Sequence, residues 1–234
     1  VRPSWSLNDP NLNAHELRRT NNKMMDIEAI RSGKIQELAG VNLEDEDLAK
    51  ANLEKANLSG ANLVGIDLSY ANLQSADLNG ANLLGANLTR ADLRASLIGV
   101  NLTQGNLEGA DLRGSNLRGA NLMGATLSRV SLAGAFLSGA NFSEANLQGG
   151  DLRSSDLRGV NFQGANLKGA NLRDAELQGA NLIEANLEEA DLRGANLAGV
   201  NLDSANLLCA EVGEVNLKGA SLGGTCLLGT QVES

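Results

Sequence analysis

From Leu43 to Val232 an apolar residue returns every fifth position, with a single slip. No uninterrupted regular element can bury such a column. A helix turns ~100° per residue, so residues five apart land ~140° from one another and scatter around its surface. A continuous strand alternates faces, so an odd period sends the column in and out by turns. A corner after each short strand removes the conflict, because it resets the alternation. Each unit then reads Ala inward, Asn or Asp outward, Leu inward, one residue outward, and a corner. Four such sides close a coil of twenty residues, and successive coils stack as parallel strands ~4.8 Å apart.

The register holds for eleven units from Leu43 to Leu93 and for twenty-eight from Leu97 to Val232. Of these thirty-nine centres thirty-five are Leu, with Phe142, Phe162, Val212 and Val232 in the remaining places. The residue before the centre is Asn or Asp in thirty units, and the second residue after it is Gly in twenty-one. Gly suits a corner because it lacks Cβ. Since eighteen units carry another residue there, the corner is expected not to demand positive φ in general.

The unit Ala-(Asp/Asn)-Leu-x-x, as in Ala51-Asn52-Leu53 and Ala56-Asn57-Leu58, resembles the repeat of the pentapeptide-repeat family across residues 41–234. The resemblance implies an all-β solenoid, a right-handed quadrilateral parallel β-helix, of cyanobacterial type. Thirty-nine units make about ten coils, a rod ~45–50 Å long at sheet spacing. Residues 1–40 lack the repeat and form a separate segment. There Asn13 followed by Glu16 fits a capping box, Met24, Met25, Ile27, Ile30 and Ile35 give a partial apolar face, and Ser32-Gly33 fits a helix stop. A short α-helical N-terminal cap over the open end of the Leu column is the expectation, and a functional arm is the alternative. Leu38 falls in phase with the repeat, so the coil is expected to reach back to it.

The slip falls after Leu93, where Ala91-Asp92-Leu93-Arg94 is followed at once by Ala95-Ser96-Leu97. A tightened corner that leaves the sides in order is the expectation, and a kink that shapes a binding surface is the alternative.

Folding the repeat by four assigns residues to sides. One side carries Arg94, Arg113, Arg153, Arg173 and Arg193, interrupted by Ala133, with Asp92, Asp111, Asp151 and Asp191 two residues before four of them. Pairing within this charged ladder favours a neutralised, solvated surface over a surface for an anionic partner. A second side carries Val64, Leu84, Met123 and Ile183 directly after their centres, separated by Thr103, Ser143 and Gln163, and has no Lys or Arg in either position after a centre. It is a candidate protein-contact surface or incidental exposure. Phe136 stands where Asn or Asp is usual, in a run with Thr126 and Ser131. Its ring is either a contact anchor or folded against a neighbour.

Charge and residue types exclude several functions. The net charge is −9, which argues against direct nucleic-acid binding, and aromatics are too few for base stacking. No apolar run spans a membrane and no secretory signal is visible. The cytoplasm is the expected compartment, with an upstream segment left open because Val1 is not a start methionine. His15 is the sole histidine, so a histidine triad or multi-histidine metal site within the coil is excluded. Cys209 and Cys226 fall on one side but offset along the strand, and are expected as free thiols. Glu44-Asp45-Glu46-Asp47 is expected to be a solvated edge, since alternation turns its carboxylates different ways. No cofactor, metal or catalytic group is expected. The reading is therefore a non-enzymatic scaffold for an unknown protein partner. The alternative, implied by relatives that confer quinolone resistance, is a DNA mimic that binds a type II topoisomerase. The Asp–Arg ladder argues against it. The frayed last units, with Leu208 and Leu228 turned outward, point to end-to-end self-association through the C-terminal coil or to a chain cut short.

Overall fold

The computed structural model describes residues 26–230. His15, Met24 and Met25, and the capping box at Asn13 and Glu16, lie outside these residues. The described residues open with a short helix, α1, Ile27–Arg31. Asp26 is its N-cap, its carboxylate accepting from Ala29 N at 2.9 Å, which satisfies one of the free amides at a helix start. It stops at Ser32, followed by Gly33 at φ 74°. Ile30 is fully buried in the same core as the Leu column.

From Glu37 onward the chain winds as a solenoid. Parallel bridges join residues twenty apart, beginning with Glu37 to Asn57 and ending with Asn206 to Cys226, so four units complete one coil. Each unit spends its backbone groups in the same way. Leu58 N donates to Asp77 O at 2.7 Å, Asp77 N to Ala56 O at 2.9 Å, and the corner amide of Gly60 to Asn79 O at 2.9 Å. The turn closes through Ala61 N to Leu58 O at 3.0 Å. Inside, the Leu and Ala positions are buried from Leu38 to Ala210 as one continuous cluster. Two coils differ by carrying Phe142 and Phe162, whose ring centroids lie 5.2 Å apart. Ser115 and Ser155, which replace Ala, are buried without polar cost because each hydroxyl donates to the Leu carbonyl three residues back at 2.6 Å.

The corner overturns one expectation. Sixteen residues other than Gly adopt positive φ, from 53° to 61°, and all sixteen are corner residues. The turn therefore does demand the left-handed region at its third residue, as type II turns do, whatever side chain is present. The penalty, ~1–2 kcal/mol for a residue with Cβ, is tolerated because four backbone hydrogen bonds per unit over-determine the backbone. None of the sixteen is Val, Ile or Thr, the residues for which this conformation is most strained.

The slip behaves as the tightened corner. Four bridges, from Asp77 to Ser96 through Asp92 to Asp111, span nineteen residues, and from Ser96 to Asn116 the span returns to twenty. Side order is intact. Neither Arg94 nor Ala95 has positive φ, so the four-residue unit turns without a left-handed residue.

Candidate functional site

The Asn or Asp before each centre has a physical role that the repeat alone does not explain. Its side-chain oxygen accepts from the backbone amide two residues on, as in Ser69 N to Asp67 Oδ1 at 2.8 Å, an Asx turn that holds the corner. Where the residue is Asn, its amide also reaches the coil before it. Asn141 Nδ2 donates to Asn121 Oδ1, and Asn161 Nδ2 to Asn141 Oδ1, both at 3.1 Å. Such ladders stiffen the sides and consume most of the polar groups that a site would need.

On the charged side the ladder is formed. Asp92, Asp111, Asp151 and Asp191 each take both Nε and Nη2 of the arginine two residues on. The pairing is bidentate, the strong geometry for this ion pair. Between coils, Arg94 Nε lies 3.7 Å from Asp111 and Arg193 Nε 2.9 Å from Glu211. A fifth pair, Asp156 with Arg158, occupies the next side; the same Asp-x-Arg spacing announces it in the sequence. Arg173 is the exception. Its unit has Asn171, which accepts only the backbone amide of Arg173 at 3.1 Å.

In all five pairs the arginine hydrogen bond holds the carboxyl below the usual Asp value of 3.8. A depressed folded pKa contributes stability above pH ~3.8 that is lost as pH falls through the folded value. Calorimetric melting from pH 7 to pH 2 is therefore expected to show Tm falling below pH ~4. Asp→Asn at positions 111, 151, 156 and 191 keeps the turn but removes the titration, and should flatten this acid limb.

Val64, Leu84, Met123 and Ile183 do share one side, since Asn62, Asn82, Asn121 and Asn181 bridge in one series. They do not form a continuous apolar strip. Leu84 and Met123 are exposed, Val64 and Ile183 are half-buried, and the bridge between Asn82 and Asn101 puts Thr103 in the coil between Leu84 and Met123.

A different side proves more distinctive. Its corners are Gly40, Gly60, Gly80, Gly99, Gly119, Gly139, Gly159, Gly179, Gly199 and Gly219. All ten are Gly, whereas the sixteen left-handed residues with side chains occupy the other three edges. A Cβ at any of the ten would meet nothing within 4 Å. Their positive φ favours Gly, as at every corner, but no neighbour within the coil would clash with a Cβ there. The result is an edge of bare backbone running the length of the rod. At its middle, in the coils of Gly119 and Gly139, the Arg118 guanidinium lies 4.9 Å above the Phe136 ring, close enough for a cation–π contact. Phe136 and Ile98, on the same side, are each 43% exposed. Reading glycines every fourth unit finds this edge in the sequence; reading only the outward side chains misses it.

Among the described residues no group of three His, Cys, Asp or Glu side chains converges as metal ligands, and no helix is long and apolar enough to cross a membrane. Of the acidic run, Asp47 lies beside Arg31, with 3.9 Å between the charged groups. Cys209 and Cys226 are free and exposed. At the C-terminal end Leu217, Leu222 and Leu227 are exposed by 36%, 39% and 42%, and Leu228 by 72%.

Twenty-residue coils of parallel bridges, a Leu column and five-residue corners define a β-solenoid of short repeats. The chain belongs to the pentapeptide repeat family, whose model matches in eight copies over residues 37–230. No protein of curated function matches it. Among solved structures it is similar to HetL, a pentapeptide repeat protein involved in heterocyst differentiation regulation from the cyanobacterium Nostoc sp. strain PCC 7120, at 32% identity over 94% of each chain, with a TM-score of 0.38. It is also similar to QnrB1, a plasmid-mediated fluoroquinolone resistance protein, at 21% identity over 78% of this chain and 91% of that one, with a TM-score of 0.60. A pentapeptide repeat protein of the Arabidopsis thaliana thylakoid lumen is 41% identical over 41% of this chain and 67% of its own, with a TM-score of 0.41.

Proposed function

We propose that the protein is a non-enzymatic scaffold, a right-handed quadrilateral β-helix that docks a partner protein along its glycine edge. The bare edge carries this reading: it lets another backbone approach closely, and all ten of its corners are Gly, whereas the other three edges hold side chains at the same positive φ. Phe136, Arg118 and Ile98 supply the anchor, since a partly exposed aromatic beside Arg is the composition of interface hot spots. In the same reading α1 caps the N-terminal end, the exposed Leu217, Leu222, Leu227 and Leu228 support end-to-end association through the C-terminal coil, and the cytoplasm is the compartment.

A DNA mimic that binds a type II topoisomerase has less support. Four ladder aspartates are held bidentate by arginine, so they do not present free negative charge. The likeness to QnrB1, at 21% identity, is one of fold.

The test uses the tolerance of the corner. Lys50 and Lys55 occupy corners at φ 59° and 61°, so Gly119→Lys and Gly139→Lys should fold while blocking the edge. Partner recovery from native lysate is expected to fall at least tenfold for these variants and for Phe136→Ser. Gly169→Lys, on another edge, should recover as the unmodified protein does. Full recovery with Gly119→Lys and Gly139→Lys would falsify the docking edge.

A further inference from the structure

The Asp–Arg ladder is one carboxylate short, and the shortage sits beside empty space. Arg173 makes no side-chain hydrogen bond or ion pair among the described residues. Its neighbours in the adjoining coils, Arg153 and Arg193, each hold their own Asp in a bidentate pair. Asn171 keeps the whole structural role of the missing Asp. Its oxygen accepts from Arg173 N at 3.1 Å, as Asp151 does from Arg153 N at 3.2 Å and Asp191 from Arg193 N at 3.1 Å. Asn in place of Asp therefore alters only what the guanidinium can bind. The same substitution turns an acceptor into a possible donor, Nδ2, on the same spot.

The space comes from Ala133, one coil before Arg153, where the ladder loses its arginine. Together with Gly134 it opens a shallow depression of about 610 Å³ that extends past Ser154 and Asn171 to Arg173 and Arg193. Asp174 and Asp191 also border it; Arg173 helps to hold the Asp191 carboxyl below its usual value through space, but that carboxylate is already paired with Arg193, and no ion pair joins either carboxylate to Arg173. The Asp174 carboxylate folds over Gly194, where a Cβ would lie 2.3 Å from Oδ1. The donors left free around the depression are the full Arg173 fork, the Ser154 hydroxyl and Asn171 Nδ2.

We propose that this depression is a carboxylate-binding site, in which an incoming carboxylate takes on Arg173 the bidentate place that Asp holds on the neighbouring rungs. The ligand is a small carboxylic acid or the acidic side chain of a protein. The site lies on a different side from the glycine edge and stands or falls independently of it.

The test follows the arginine Nε–H resonances of the full chain by NMR while sodium succinate, or a short peptide with a single Glu, is added against sodium chloride of matched ionic strength. Saturable movement is expected for Arg173, with Arg113, Arg153 and Arg193 moving far less because their Nε–H groups are already engaged. Asn171→Asp supplies the missing carboxylate from within and should weaken binding at least tenfold without altering the fold, as should Arg173→Gln. The tighter of the two probes identifies the source of the carboxylate. Uniform movement of all ladder arginines overturns the proposal, as does undiminished binding to Asn171→Asp, or no response beyond chloride to either probe.

Discussion

Replacing Phe162 by alanine is expected to cost about 3–5 kcal/mol, which for a chain of this size lowers Tm by about 6–20 °C. Phe162 is fully buried, and its ring packs on that of Phe142 at 5.2 Å with a 32° tilt. The surrounding centres are Leu, held by backbone bonds at every unit, so the coil cannot close over the space a lost ring leaves. Phe162→Leu separates cavity from ring chemistry. Leu is the residue that this column accepts in thirty-five of thirty-nine centres, and the swap should cost less than about 1.5 kcal/mol. With Phe142→Leu in a double-mutant cycle, a ring–ring coupling of about 0.5–1.5 kcal/mol is expected. Calorimetry of the five proteins measures both terms; equal melting of Phe162→Ala and Phe162→Leu would show that the column relaxes freely.

The second large effect is expected at the N-terminal end. Deleting residues 1–34 should replace a cooperative melt by aggregation. Stability in a solenoid comes from neighbour on neighbour, so an end needs a cover. Ile30 is fully buried against the column, and Arg31 O accepts the amide of Asn52 at 2.9 Å, a coil-edge donor otherwise left open. The Arg31 side chain adds a hydrogen bond to Asp47 O at 2.5 Å. Removing these groups exposes the leucines of the first coil and an unpaired sheet edge, the template for association. Ile30→Asp tests the apolar contact alone and should lower Tm strongly while the chain stays whole. A monodisperse deletion product with an unchanged melt would exclude the capping role.

Much of this architecture is legible in the residues because burial is a one-dimensional signal in a repeat of five. Leu and Ala fall inward, and Asn or Asp outward, without reference to any distant contact. Corner conformation is not legible in side-chain identity, since Lys50, Tyr70 and Glu144 all hold φ near 60° as the glycines do. What the sequence did carry was the absence of β-branched residues at those corners. The charged ladder was readable because each Asp and Arg pair lies within one unit. The glycine edge was equally readable, but only to an eye following every fourth corner.

Other features exist only across coils, between residues about twenty apart. The Asn ladders, the seat of Arg118 on Phe136 and the lack of an ion-pair partner for Arg173 depend on rotamers and on the stacking register, which local pattern does not specify. The apolar residues at Val64, Leu84, Met123 and Ile183 share a side as their spacing requires, yet their exposure is set by the neighbours stacked against them. The sequence alone thus determined the solenoid, its core and the order of its sides, because a period of five leaves hydrophobic burial no other solution. Tertiary structure decided which outward groups are spent on one another and which remain free, because hydrogen bonds and ion pairs are satisfied by proximity in space.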